Sequence, residues 1–303
     1  MAGTTLIKNK GYIMIQTVAF IGLGAMGYRM AAHLPKHFDT VYVWNRSFEK
    51  AEQHATEYGT QAIDLHQAVQ ADIIFSCLPT SQDVKQLIDS LNIKAGAIWI
   101  DCTSGVPAAA KELAMSLKQK DIEFLDAPVS GQTIGAENAT LTIMVGGDAA
   151  VFDRALPAMQ TFGKLIKHVG DSGAGFAVKA VNNMLLAVNL WSVAEGFTTL
   201  KAHGVNLNQA LECINASSGK SGVTETALPA RILNRSFPLT FALPLLAKDT
   251  GIALDLVNEA KLPAPLLALT QSLIQAANLT AEPDSDFSAA VKMYEAWTKI
   301  ILE

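Results

Sequence analysis

Ser172-Gly173-Ala-Gly175-Phe176-Ala-Val-Lys179-Ala-Val-Asn182-Asn183-Met-Leu-Leu-Ala-Val-Asn-Leu-Trp191 opens a run with no proline and no further glycine until Gly196. The spacing after the glycine-rich turn predicts one helix continuing to about His203, on the order of 40 Å long. Apolar residues lie nearly all round it, which predicts burial on several sides. Lys179, Asn182 and Asn183 stand at i, i+3 and i+4 and so share a face. On an apolar helix such groups either find partners or, for the lysine, reach water along the apolar stem.

Everything before this run alternates strand and helix, and everything after it reads as helix. At 303 residues the chain is long enough for two cores, and a boundary is expected near residue 170. The divisions are an N-terminal extension (1–15), an α/β domain (16–170) and an all-helical domain (171–303). Breaks in the helical part are expected at Gly204, Gly219–Gly222, Pro229, Pro238, Pro244, Pro263, Pro265 and Pro283. Half the residues are hydrophobic and the net charge is −5, so there is no basic field for nucleic acid. The apolar run Met184–Leu200 is interrupted by Asn189 and Glu195, so no membrane span is expected. Three scattered cysteines, Cys77, Cys102 and Cys213, make neither a disulfide framework nor a zinc site. They fit a reducing cytosol, and no metal ligand set accompanies them.

The first strand, Gln16-Thr-Val-Ala-Phe-Ile21, runs into Gly22-Leu23-Gly24-Ala25-Met26-Gly27 and then a helical pattern, Tyr28–Leu34. Strand, GxGxxG and helix in that order is the context of a dinucleotide site, or otherwise of an ordinary tight turn. In the dinucleotide reading, the first glycine makes the turn and the second admits the pyrophosphate. The third lets helix and strand approach, and the helix N-terminus faces the phosphates. The second strand, Thr40–Trp44, ends in Asn45-Arg46-Ser47, where an NAD site usually places an acid. An amide, a guanidinium and a hydroxyl suit a 2′-phosphate, which favours NADP with NAD possible. Alternatively Arg46 is a solvated charge and Glu49 binds the ribose.

Further strands end at Cys77-Leu78-Pro79, at Asp101-Cys102-Thr103-Ser104 and at Asp126-Ala-Pro128-Val-Ser130-Gly131-Gln132. Ligands of open parallel sheets bind at such strand ends. From the residues alone, Thr103 reads as a cap for the helix from Pro107, and Ser130 either caps a turn or donates to a ligand. Two more strands, near Thr140–Val145 and Leu165–Val169, flank a helix at Ala149–Met159. The fold class is α/β: a doubly wound Rossmann-type domain, a long interdomain helix and an all-helical domain.

With these motifs in this order, the chain from about Val18 onward resembles the β-hydroxyacid dehydrogenases, most closely the 3-hydroxyisobutyrate dehydrogenases. Phe241-Ala-Leu-Pro-Leu-Leu-Ala-Lys248-Asp249 completes the set. The resemblance implies that Lys179 is the catalytic lysine and Asn183 the amide beside it; Asn182, on the same helix face, is the alternative amide for orienting the lysine or the substrate. It implies that Ser130 and Gly131 hold a substrate carboxylate. Leu78, Pro79 and Thr103 would contact the cofactor, and Lys248 would lie near the nicotinamide. Family members pair through their helical domains, so a homodimer or homotetramer is expected. Gln132 stands where the family usually has a second glycine, and is expected to shape the pocket rim. Ala139 stands where a glycine is common before Thr-Leu. Taken with the residue readings above, the leading expectation is NADP-preferring oxidation of 3-hydroxyisobutyrate or a close 3-hydroxy acid, reversible as semialdehyde reduction, in the cytoplasm and without a metal. The other readings are a reductase for tartronate semialdehyde, glyoxylate or succinic semialdehyde, and a regulatory nucleotide-binding protein. The last would have lost the lysine or the carboxylate segment, and both are intact.

Overall fold

A computed structural model describes residues 16–303 of the chain; the extension read at 1–15 lies outside the described residues. The chain forms two compact units, one reaching Phe176 and one spanning Ala177–Glu303.

The N-terminal unit runs β1 (Thr17–Ile21), α1 (Gly27–Ala31), β2 (Thr40–Trp44), α2 (Phe48–Tyr58), β3 (Gln61–Ala62), α3 (Leu65–Ala68), β4 (Ile73–Ser76) and α4 (Ser81–Asp89). It continues with β5 (Ile98–Asp101), α5 (Pro107–Lys118), β6 (Glu123–Asp126), β7 (Val129–Ser130), α6 (Gln132–Glu137), β8 (Leu141–Gly146), α7 (Ala149–Met159) and β9 (Gly163–Gly170). The sheet order is β3-β2-β1-β4-β5-β6-β8-β7, with β9 also on β8. All pairs from β3 to β6 are parallel, whereas β8 runs antiparallel to β6 and β7. The strands are apolar on both faces because both are covered. Along β1, Val18 and Phe20 join one core with Phe75, Ile100 and Phe162, while Ala19 and Ile21 join another with Ile74, Trp99 and Leu113. This is the two-residue alternation of a strand packed on each side.

The first helix is shorter than the pattern Tyr28–Leu34 predicts. It ends at Ala31, and a 3-10 turn at Leu34–Lys36 takes in Pro35, whose missing N–H cannot extend the helix.

The predicted long helix is α8, Ala174–Ala202. Its first turn belongs to the N-terminal unit, where the Asp126 carboxylate accepts the N–H groups of Gly173 (2.7 Å) and Phe176 (2.9 Å). Those are donors that a helix start leaves without intrahelical partners.

In the C-terminal unit, α8 is followed by α9 (Leu207–Asn215), a π-helical segment Val223–Leu233, α10 (Leu243–Glu259), α11 (Pro265–Thr280) and α12 (Val291–Thr298). Leu190, Trp191, Phe197, Leu228, Leu246 and Phe287 are among its core residues. Three expectations are corrected here. Val178, Val181 and Leu185 of α8 are exposed in the single chain, so the helix is not buried all round. By length and composition α8 does qualify as a membrane span, although its second half is packed in this core. Pro229 does not break its helix, because it sits inside the π-helical segment. Pro244 and Pro265 begin helices, in the first turn where a missing N–H costs nothing.

Candidate active site

In the N-terminal unit the glycine motif is held by its neighbours' backbones. Gly22 has φ +94°, a conformation strained for any residue with a Cβ, and a Cβ there would strike the Cys77 carbonyl. A Cβ on Gly27 would strike the Gly22 carbonyl, whereas the Cβ position of Gly24 is open. The second glycine therefore leaves the loop approachable, as a pyrophosphate requires. Asn45 is a brace: its Oδ1 accepts the Leu23 N–H (2.9 Å) and its Nδ2 donates to the Ser47 carbonyl (3.1 Å). Arg46 and Ser47 remain exposed, and the Ser47 hydroxyl makes no capping bond at the start of α2. A cleft of about 260 Å³ beside the loop is lined by Gly24, Ala25, Arg29, Lys50 and Gln53. The sequence reading passed over Lys50 and Gln53. The available signal is that Lys50 follows Ser47 by three positions and therefore rises from the same side of α2.

The next two strand ends are joined. Thr103 is buried and its Oγ1 accepts the Leu78 N–H (3.1 Å), while the Thr103 N–H donates to Asp101 (3.1 Å). It does not cap α5, whose N-cap is Val106 without a side-chain bond. Thr103 instead fixes the Leu78-Pro79 turn, with Leu78 half-buried and Pro79 exposed. Ser130 is half-buried at the end of β7. Among the described residues its hydroxyl has no hydrogen-bond partner, and Gly131 follows at φ +136°. These groups fit a nicotinamide dinucleotide: an open glycine, a helix start, an unengaged hydroxyl and two cations.

The C-terminal unit holds the remaining site residues. Asn183 is buried and donates its amide to Asp249 Oδ2 on α10 (2.6 Å). Asp249, also buried, faces Lys248 Nζ with its other oxygen (3.2 Å). Asn182 does not share this environment. It is exposed, and only its amide reaches in, donating to Asn183 Oδ1 (3.0 Å). Lys179 is half-buried, and its pKa is drawn from 10.5 down to about 8. Burial is the main cause; the Asp249 charge opposes it and the Lys248 charge adds to it. Asp249 is the residue the sequence reading undervalued. Its signal is an acid set among Leu246, Ala247, Ile252 and Ala253, all buried, where a charge requires partners. Among the described residues no group of three or more His, Cys, Asp or Glu side chains is placed to hold a metal ion.

A largely parallel sheet with this glycine turn, followed by a helical unit, is the architecture of a nicotinamide-dependent oxidoreductase. Residues 17–170 match the family model described as the NAD binding domain of 6-phosphogluconate dehydrogenase. Residues 173–294 match the NAD-binding model of NADP-dependent 3-hydroxyisobutyrate dehydrogenase. The chain is 38% identical to 2-(hydroxymethyl)glutarate dehydrogenase of Eubacterium barkeri, over 93% of this chain and 96% of that one. It is 34% identical to 3-hydroxyisobutyrate dehydrogenase of Pseudomonas aeruginosa, over 91% and 98%. A solved structure of Mycobacterium tuberculosis 3-hydroxyisobutyrate dehydrogenase with L-serine is similar at a TM-score of 0.85 and 29% identity, over 93% and 99%. The chain belongs to the β-hydroxyacid dehydrogenase family.

Proposed function

We propose that this chain is an NADP-preferring dehydrogenase of 3-hydroxyisobutyrate or a close 3-hydroxy acid, reversible as reduction of the semialdehyde. The observation that carries the reading is Lys179 with its pKa near 8. An ammonium cannot accept the alcohol proton, but an amine that is largely neutral at mildly alkaline pH can. When bound, the nicotinamide supplies the hydride acceptor. Lys179 takes the hydroxyl proton in oxidation and, as the ammonium, returns it to oxygen in reduction. Asn183, held by Asp249, orients the lysine or the substrate. The Ser130 hydroxyl and the chain around Gly131 receive the carboxylate, while Leu78, Pro79, Thr103 and Lys248 serve the cofactor.

The NADP preference is supported by Arg46 and Ser47, both exposed after β2, and by Lys50 on the neighbouring cleft. We place the enzyme in the cytoplasm as a homodimer or homotetramer. Three free thiols support the compartment, and the open apolar face of α8 supports the assembly.

A matrix of 3-hydroxyisobutyrate, L-serine, 2-(hydroxymethyl)glutarate, tartronate semialdehyde, glyoxylate and succinic semialdehyde against both coenzymes tests the reading. The highest kcat/KM is expected for a 3-hydroxy acid with NADP. Faster turnover of glyoxylate or succinic semialdehyde would replace it with the reductase reading.

A further inference from the structure

Two thiols that look unrelated in the sequence are set side by side by the sheet. The register of β4 against β5 ends at Ser76↔Asp101, and the next N–H, that of Cys102, donates to the Ser76 carbonyl (2.7 Å). Cys77 therefore stands opposite Cys102. Their side chains share a face: both cysteines pack in the core that holds Phe75 and Ile100, the registered pair two residues back. Ser76 and Asp101, on the alternate face, hydrogen-bond to each other (2.9 Å). Neighbouring strands lie about 4.8 Å apart, within the roughly 4.4–6.8 Å that the Cα atoms of a disulfide span. Cys102 is buried, and burial pushes its thiol up, with Cys77 a smaller cause. Cys77 is only half-buried, so a thiol reagent from solution meets it first.

We infer that Cys77 and Cys102 are an oxidisable dithiol, modified by small disulfides of the glutathione type, whose closure weakens dinucleotide binding. The Cys77 thiolate attacks one sulfur of the small disulfide RS–SR. That bond breaks, a Cys77–SR bond forms and one RS⁻ leaves. Cys102 then attacks the Cys77 sulfur: the Cys77–SR bond breaks, the protein S–S bond forms, and the departing second RS⁻ takes the Cys102 proton. Two cysteines lose two electrons and the small disulfide becomes two thiols. The bridge needs Cβ atoms about 3.8 Å apart, closer than the strand spacing, so Cys77 is drawn toward Cys102. The Cys77 carbonyl and the Leu78 side chain pack directly over Gly22, which leaves the glycine turn no room to ignore that shift. A dinucleotide bound on the turn must oppose closure by the same factor by which closure opposes the dinucleotide.

The test uses Cys213→Ser, which removes the exposed third thiol, with and without Cys102→Ala. Each full chain is equilibrated with mixtures of reduced and oxidised glutathione. Intact mass and peptide mapping follow the thiols, and fluorescence titration with NADPH or NADH, whichever binds more tightly, follows the coenzyme. Cys213→Ser should become lighter by two hydrogen atoms, with Cys77 and Cys102 linked. The chain that also carries Cys102→Ala should stop at one glutathione on Cys77. The bridged form should bind the coenzyme about tenfold more weakly, within the usual range of coupling between sites, and dithiothreitol should restore it. Saturating coenzyme should lower the ratio of bridged to reduced chain by a similar factor. No bridge, glutathione on both cysteines, or a bridge that leaves coenzyme affinity unchanged would overturn the inference. No substrate is turned over in these measurements, so a failure of the proposed reaction would leave their outcome standing.

Discussion

Asn183 donates its amide to Asp249 across 2.6 Å, and both residues are almost fully buried. One carboxylate thus holds the amide while its charge acts on Lys179, against Lys248 alongside it. Asp249→Asn removes a charge that raises the Lys179 pKa, so that pKa should fall further below about 8. Lys248→Met removes a charge that lowers it, so the pKa should rise. Oxidation needs the neutral amine, so kcat/KM for oxidation should climb with pH to a plateau above about 8 in the wild type. That limb should move to lower pH in Asp249→Asn and to higher pH in Lys248→Met. Lys179→Ala should lower kcat by about 10²–10⁴ and abolish the limb. A limb that stays put in both charge variants would disconnect it from Lys179.

A second titration concerns folding. Burial pushes Asp126 up from 3.8 to about 6, although the Gly173 and Phe176 N–H groups pull the other way. Between about pH 4 and pH 6 the folded state therefore binds more protons than the unfolded chain, and stability falls as pH rises through that window. The loss persists above it. Asp126→Asn titrates in neither state. The unfolding free energy of the wild type minus that of Asp126→Asn should decline from pH 4 to pH 6. A flat difference would show that the folded carboxyl titrates normally.

The parts of this architecture that follow local rules were readable from sequence: β1 running into its glycine turn, the two-faced apolar strands and the long helix α8. What escaped depends on partners distant in the chain. The two-residue strands β3 and β7 exist only by pairing with β2 and β8, and β8 runs antiparallel although its sequence resembles its parallel neighbours. Thr103 looks like a cap because it precedes a proline-started helix, but its hydroxyl is turned to Leu78, 25 positions away. Asp249 was visible as a letter beside Lys248. Its worth came from Asn183, 66 positions earlier. Gln132 was legible as a departure, while its φ of +58° was not.

Coenzyme choice follows from the end of β2. Arg46→Ala should weaken NADP by about 1.5–3 kcal/mol, the range for a charge-assisted hydrogen bond, and leave NAD nearly unchanged. Fluorescence titration of each reduced coenzyme measures it. Equal weakening of both would mean that the guanidinium stacks on the adenine.

Assembly is expected through the helical unit. Val178, Val181 and Leu185 recur at i, i+3 and i+7 on α8 and are 40%, 45% and 51% exposed, forming one apolar stripe. Light scattering at micromolar concentration should give a dimer or tetramer, and Val181→Glu should shift it toward monomer by placing a charge in the contact. A wild-type monomer would leave the stripe without the partner proposed for it.

The last prediction concerns what the substrate must carry. Ser130 ends β7 with a hydroxyl that makes no hydrogen bond among the described residues, and Gly131 follows it with no side chain to obstruct a ligand. A free hydroxyl and nearby backbone suit a carboxylate better than a neutral ester, because a full charge roughly doubles the strength of each bond. The methyl ester of 3-hydroxyisobutyrate should therefore lose at least about tenfold in kcat/KM against the acid. Ser130→Ala should narrow that gap, since it removes a donor that distinguishes the two. The hydroxyl braces no turn, so the fold should be little affected and Tm should stay near the wild-type value. If the substitution slows acid and ester equally, or lowers Tm substantially, Ser130 supports the loop and the carboxylate is bound by other groups.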